Sequence, residues 1–132
     1  AKAIAEAFHA AGVPVKFYDL KQSHISDIID EILTAEYIVV GSPTLNNNML
    51  PPVADFLTYM KGLSPKKRKA LAFGSYGWSG EAEKLIVSNL INLKLNVFPE
   101  TMFIKFSPES ADKQKFIDFG MNFGKQLSSC VK

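Results

Sequence analysis

The sequence predicts an α/β domain, a three-layer sandwich around a mostly parallel sheet. Two runs of strand-forming apolar residues carry this, Tyr37-Ile38-Val39-Val40-Gly41 and Ala70-Leu71-Ala72-Phe73-Gly74. Each is too unbroken to alternate between core and solvent, which fits strands covered on both faces. Each is followed by a loop and then a segment with helical apolar spacing, and strands alternating with helices close through right-handed crossovers onto a parallel sheet.

The elements follow in order. Residues 1–11 place Ile4, Ala7, Phe8 and Ala11 at helical spacing and stop at Gly12, which suits the left-handed residue that ends many helices. Residues 13–20, β-rich and bounded by Gly12 and Pro14, predict a strand. Residues 23–33 predict a helix with Ile25, Ile28, Ile29, Ile32 and Leu33 on one face. After the strand at 37–41, residues 42–50 predict a loop, and Pro51 and Pro52 open a helix to about Lys61, where proline is tolerated in the first turn. The strand at 70–74 leads into a loop at 75–80 and a helix bearing Leu85, Ile86, Leu90 and Leu93. Residues 97–106 predict a last strand bent by Pro99. Ser107, Pro108 and Glu109 lead into a closing helix that sends Phe116, Ile117, Met121 and Phe123 to the core and ends near Cys130.

Length and composition narrow the function. The chain of 132 residues is the size of one domain, so a single unit over 1–132 is expected. The net charge of +2 is dispersed, and the one dense basic run, Lys66-Lys67-Arg68-Lys69, has no interleaved aromatics. It reads as a solvent-facing loop or a docking patch for an acidic partner, and not as a nucleic-acid site. Cys130 is the only cysteine, so no intramolecular disulfide can form and a reducing, cytoplasmic setting is expected. No apolar stretch reaches the ~20 residues of a membrane span. His9 and His24 fall on different elements, which argues against a metal site and places both on the surface. Ser75 and Ser79 have no histidine partner and no Gly-x-Ser-x-Gly turn, which argues against a hydrolase.

Ligands of such sheets bind outside the carboxyl ends of the strands, where both long loops lie. The first, Ser42-Pro43-Thr44-Leu45-Asn46-Asn47-Asn48-Met49-Leu50-Pro51, offers hydroxyl, amide and backbone groups between two rigid prolines, suited to the edge of a flat heterocycle. The second, Gly74-Ser75-Tyr76-Gly77-Trp78-Ser79-Gly80-Glu81, sets two aromatics among glycines that let backbone approach a ligand. An aromatic face stacked on a planar ring contributes ~1–3 kcal/mol, judged from base stacking. On residues alone, the asparagines also suit a plain turn and the aromatics suit core packing.

Together, Gly41-Ser42-Pro43-Thr44-Leu45-Asn46-Asn47 and Phe73-Gly74-Ser75-Tyr76-Gly77-Trp78-Ser79-Gly80-Glu81 resemble the two flavin-contacting loops of the flavodoxin-like domain in flavodiiron proteins. The helix between them, with Val53, Ala54, Asp55, Phe56 and Leu57, matches as well, and the resemblance covers essentially the whole chain. It implies a flavodoxin-like fold of strand order 2-1-3-4-5 that binds FMN. The contacts it implies are Ser42, Pro43, Thr44, Leu45, Asn46, Asn47, Ser75, Tyr76, Gly77, Trp78 and Gly80. It further implies an electron-transfer module of an oxygen or nitric oxide reductase. Rubredoxin or a flavin reductase would donate the electrons, and a diiron domain, absent from this sequence, would accept them. Family members pair head to tail, so a homodimer is an expectation.

Two departures stand beside the resemblance. Related domains begin with a strand and a hydroxyl-rich loop around the FMN phosphate, whereas this sequence starts within the first helix, so that strand and loop are expected to lie outside it. Without the strand its two neighbours would stand roughly 9.6 Å apart, twice the usual spacing, unless another chain supplies it. Loss of two charge-assisted hydrogen bonds would weaken FMN binding by something like 10²–10⁴-fold. Asn48 occupies a place where many relatives have Gly, and Asn accepts positive φ. The alternatives are a flavin-free binding or assembly module on the same fold and, less suited to the Ser-Tyr-Gly-Trp loop, a receiver-type phosphoacceptor domain.

Overall fold

A computed structural model describes residues 1–46, 48–63, 68–78, 80–98, 102–105 and 110–130. They form five helices and four strands: α1 (Lys2–Ala10), α2 (Ile25–Thr34), β1 (Tyr37–Pro43), α3 (Pro51–Leu63), β2 (Lys69–Tyr76), α4 (Glu81–Asn92), β3 (Asn96–Val97), β4 (Met102–Lys105) and α5 (Ser110–Cys130). The chain divides into two compact units, residues 18–106 and the pair of segments 1–17 and 107–132.

In the larger unit β1 and β2 run parallel with Tyr37 opposite Lys69 and Pro43 opposite Ser75. Both β3 and β4 pair in parallel with β2, β3 at Lys69 and Ala70 and β4 from Phe73 to Tyr76. They fall where one strand was expected at 97–106, and Pro99, expected to bend it, lies outside the described residues. The observed order, β1-β2 and then β3 with β4, is the 3-4-5 portion of the expected 2-1-3-4-5 sheet.

Covalent pattern explains the core. Ile28, Ile29 and Ile32 from α2, Val53, Phe56, Leu57 and Met60 from α3, and Ala82, Ile86 and Leu90 from α4 gather with Ile38, Val40, Ala70 and Ala72. Ile38 and Val40 alternate with half-buried neighbours along β1, as residues of one strand face must. Consecutive burial of Ala70, Leu71 and Ala72 shows β2 covered on both faces.

Two helices end in the same way. The N–H of Val13 reaches the Phe8 carbonyl at 3.0 Å and that of Gly12 reaches His9 at 3.0 Å, with Gly12 at φ 81°. This six-to-one and five-to-two pairing needs a left-handed residue, and Gly supplies it without strain. After α4 the same pattern joins Leu95 to Leu90 and Lys94 to Ile91, with Lys94 at φ 59°. Burial of Leu93 and Leu95 on either side offsets the strain that Lys94 accepts there. In the smaller unit α1 and α5 approach so closely that a Cβ on Gly120 would stand 2.6 Å from the Ala7 methyl.

Four expectations are corrected. Residues 13–19 join no ladder, because a strand exists only through a partner and β1 pairs with β2 alone. Leu33, expected on one helical face with the isoleucines, is exposed, since it sits beyond the arc that Ile28, Ile29 and Ile32 define on α2. Ser42, Pro43, Ser75 and Tyr76, read as loop, extend β1 and β2, because ladder pairing carries both strands past their apolar runs. The basic run is not simply solvated. Lys66 and Lys67 lie outside the described residues, Arg68 donates from Nη2 to the Leu33 carbonyl at 2.7 Å at the end of α2, and Lys69 opens β2 with its ammonium 5.4 Å from the Tyr37 ring centre. A guanidinium at a helix C-terminus satisfies a carbonyl the helix leaves open.

Candidate functional site

Because β1 and β2 are parallel and adjacent, the loops that follow them leave the sheet side by side. The junction is a hydrogen bond from the Thr44 N–H to the Ser75 carbonyl at 2.7 Å, one residue beyond the Pro43 and Ser75 pair. Neighbouring strands lie ~4.8 Å apart, so the bases of both loops fall within the span of one planar ring.

Two glycines make that proximity feasible. A Cβ on Gly74 would overlap the Ser42 carbonyl oxygen and stand 2.6 Å from Phe103 Cε1. A Cβ on Gly41 would overlap the Phe73 ring, which occupies the space opposite it in the register.

The first loop folds on itself. The Leu45 N–H donates to the Asn48 carbonyl at 2.8 Å and the Asn48 N–H returns the bond at 2.9 Å. Asn46, at the tip, has φ 50°. The left-handed residue is thus Asn46 and not Asn48, since the two-residue turn puts its constraint on the residue just after Leu45. Asn48 instead accepts the Met49 N–H on Oδ1 at 2.8 Å. Met49 is buried, which anchors the loop to the core.

Ser42 is 2% exposed; its hydroxyl accepts the Leu50 N–H at 2.9 Å and donates to the Pro43 carbonyl at 2.7 Å. Pro43 and Asn46 are exposed, and Thr44 is half-buried. Among the described residues Thr44 Oγ1 is buried with no hydrogen-bond partner, a polar atom that folding alone leaves unsatisfied. Leu45 is 49% exposed.

In the second loop Ser75, Tyr76, Gly77 and Gly80 are half-buried and Trp78 is 99% exposed. Nothing stands within 4 Å of where a Cβ on Gly77 or Gly80 would lie. Gly80 caps α4 without a side-chain hydrogen bond, and Glu81 and Glu83 in the first turn favour the positive end of the helix. Asn47 and Ser79 lie outside the described residues.

The structure therefore joins the bases of the two loops at Thr44 and Ser75, while the Ser42 side chain turns inward. Sequence reasoning passed over Leu50, whose N–H has its partner eight residues away, and credited Gly74 with approach to a ligand when its close neighbour is the Ser42 backbone. Exposed apolar side chains, open space at two glycines and an orphaned hydroxyl suit a flat ring with polar edges. His24 caps α2, its Nδ1 accepting the Ser26 N–H at 3.2 Å. Among the described residues no group of three His, Cys, Asp or Glu could hold a metal, and no helix is long and apolar enough to cross a membrane.

A model of the flavodoxin family matches residues 1–120. Over 129 residues the chain is 36% identical to a nitric oxide reductase of Moorella thermoacetica, covering 97% of this chain and 32% of that protein. The solved rubredoxin oxygen:oxidoreductase of Desulfovibrio gigas superposes with a TM-score of 0.89 at 35% identity, over 98% of this chain and 32% of that one. A flavodoxin from the domain Archaea superposes at 0.83 with 29% identity, over 96% of this chain and 87% of that one. The chain thus spans 32% of the length of these two longer relatives.

Proposed function

Because the chain belongs to the flavodoxin family, we propose that it binds FMN between the loops after β1 and β2 and relays electrons through it. The observation that carries this reading is Trp78, an indole left 99% exposed beside glycines with open space around them. An indole open to solvent presents a face on which a planar ring can stack, and the open space beside Gly77 and Gly80 leaves room for one.

When bound, FMN supplies reversible uptake and release of electrons. The chain's own groups do the rest. Trp78 and Leu45 offer apolar faces to the ring and displace water from it. Thr44 Oγ1 and the backbone of Asn46, Gly77 and Trp78 would offer hydrogen bonds to its polar edges, which would set the balance between oxidised and reduced forms. Pro43, Thr44, Leu45, Asn46, Asn47, Ser75, Tyr76, Gly77, Trp78 and Gly80 make up the proposed contacts, with the Ser42 side chain behind them.

Relatives named as a nitric oxide reductase and a rubredoxin oxygen:oxidoreductase, each about three times as long by the shares matched, support a finer reading. The chain would be the redox module of such an enzyme, taking electrons from rubredoxin or a flavin reductase and passing them to a diiron domain. The likeness to free-standing flavodoxin supports the same relay chemistry without that domain.

Reductive titration of the FMN-loaded protein tests the relay. The bound flavin should reduce and reoxidise reversibly at a midpoint tens of millivolts from that of free FMN, since about 30 mV corresponds to a tenfold difference in affinity between two-electron redox states. A midpoint equal to that of free FMN would mean that the protein does not tune the flavin, and the relay reading would fall.

A further inference from the structure

We propose that Ser42 is a positioning residue, which holds the first loop ready for the flavin without contacting it. The proposal rests on the FMN reading above. A serine hydroxyl has one proton to donate, and Ser42 spends it on the Pro43 carbonyl at 2.7 Å. Its oxygen accepts the Leu50 N–H at 2.9 Å, and the residue is 2% exposed, so no donor remains for a ligand and no surface is offered to one.

The Leu50 bond ties the carboxyl end of β1 to the residue directly before α3, and the bond to the Pro43 carbonyl fixes the direction of the hydroxyl that accepts it. Between the tied points stand Thr44, Leu45 and Asn46. Their hairpin is closed by its own pair of bonds between Leu45 and Asn48, but those bonds fix only its internal shape. Its placement against the second loop depends on the Thr44 N–H to Ser75 bond on one side and, at the other, on the Ser42 clamp together with buried Met49. With the clamp lost, the hairpin pivots about Thr44, and the population in which Leu45 and Thr44 meet the ring falls. Apparent affinity falls in proportion to that population.

The test compares unsubstituted protein, Ser42→Ala and Ser42→Cys, the last keeping nearly the volume with a weaker donor and acceptor. Each is titrated against FMN, and the visible spectrum and midpoint potential of the saturated complex are recorded. Ser42→Ala should raise the Kd for FMN about tenfold and shift the spectrum and potential of the bound flavin toward those of free FMN, with Ser42→Cys between. A residue that merely supported folding would lower the unfolding midpoint and leave the saturated spectrum and potential unchanged, and that result overturns the proposal. So does an unchanged Kd. If Ser42→Ala fails to fold, Ser42→Cys is read by the same measurements and the same criteria. Absence of FMN uptake by the unsubstituted protein would instead remove the flavin reading itself, an outcome distinct from uptake that is indifferent to Ser42.

Discussion

Replacing Trp78 by Ala should weaken FMN binding by roughly tenfold to a hundredfold and leave the urea unfolding midpoint of the ligand-free protein unchanged. The affinity loss follows from a stacking contribution of ~1–3 kcal/mol for one aromatic face. Unchanged stability follows from exposure, because a side chain 99% open to solvent packs against almost nothing and leaves no cavity when removed. The pairing of the two results is the discriminating feature. An aromatic that belonged to the core would give the opposite pattern, with stability lost. Fluorescence titration and urea denaturation of the same two proteins read both quantities.

Gly74→Ala should act through the frame. Its added methyl would overlap the Ser42 carbonyl oxygen and crowd the Phe103 ring. The ring can turn aside, but the carbonyl is backbone held in the β1 and β2 register, where Ser42 faces Gly74. The strands must part at the point from which both loops emerge. A stability loss of ~1–3 kcal/mol is expected, the usual range for an extra methylene forced into packed structure, and FMN affinity should fall with it because the distance between the loops changes. Denaturation midpoints of the ligand-free protein measure the first effect. A variant as stable as the parent would show that the β1 and β2 pair is not closed at Gly74.

Much of this was legible in the sequence because it is local. Unbroken apolar runs announced β1 and β2, helical spacing announced five helices, and Gly12 announced the end of α1. What was not legible depends on partners distant along the chain. Residues 13–20 have a strand's composition, yet pairing decides whether a strand forms, and they join no ladder. Pro43 and Tyr76 look like loop residues, and each is drawn into the sheet by its neighbour on the adjoining strand. Ser42 looked like a hydroxyl awaiting a ligand until its bond to Leu50 placed it inside the loop. Asn46, Asn47 and Asn48 announced a turn, but the left-handed position within it is set by the Leu45 and Asn48 bonds. At the site, the loops and aromatics could be read directly, whereas the exposure of Trp78 and the orphaned Thr44 hydroxyl depend on how distant segments fold around them.

Titration of FMN with the protein, followed by flavin fluorescence and the visible spectrum, tests the central claim most directly. A ring stacked on indole loses its fluorescence, so saturable quenching to one flavin per chain is the predicted result, with a visible spectrum distinct from that of free FMN. Fluorescence and spectrum unchanged at high micromolar protein would contradict the claim that the loops after β1 and β2 hold a flavin.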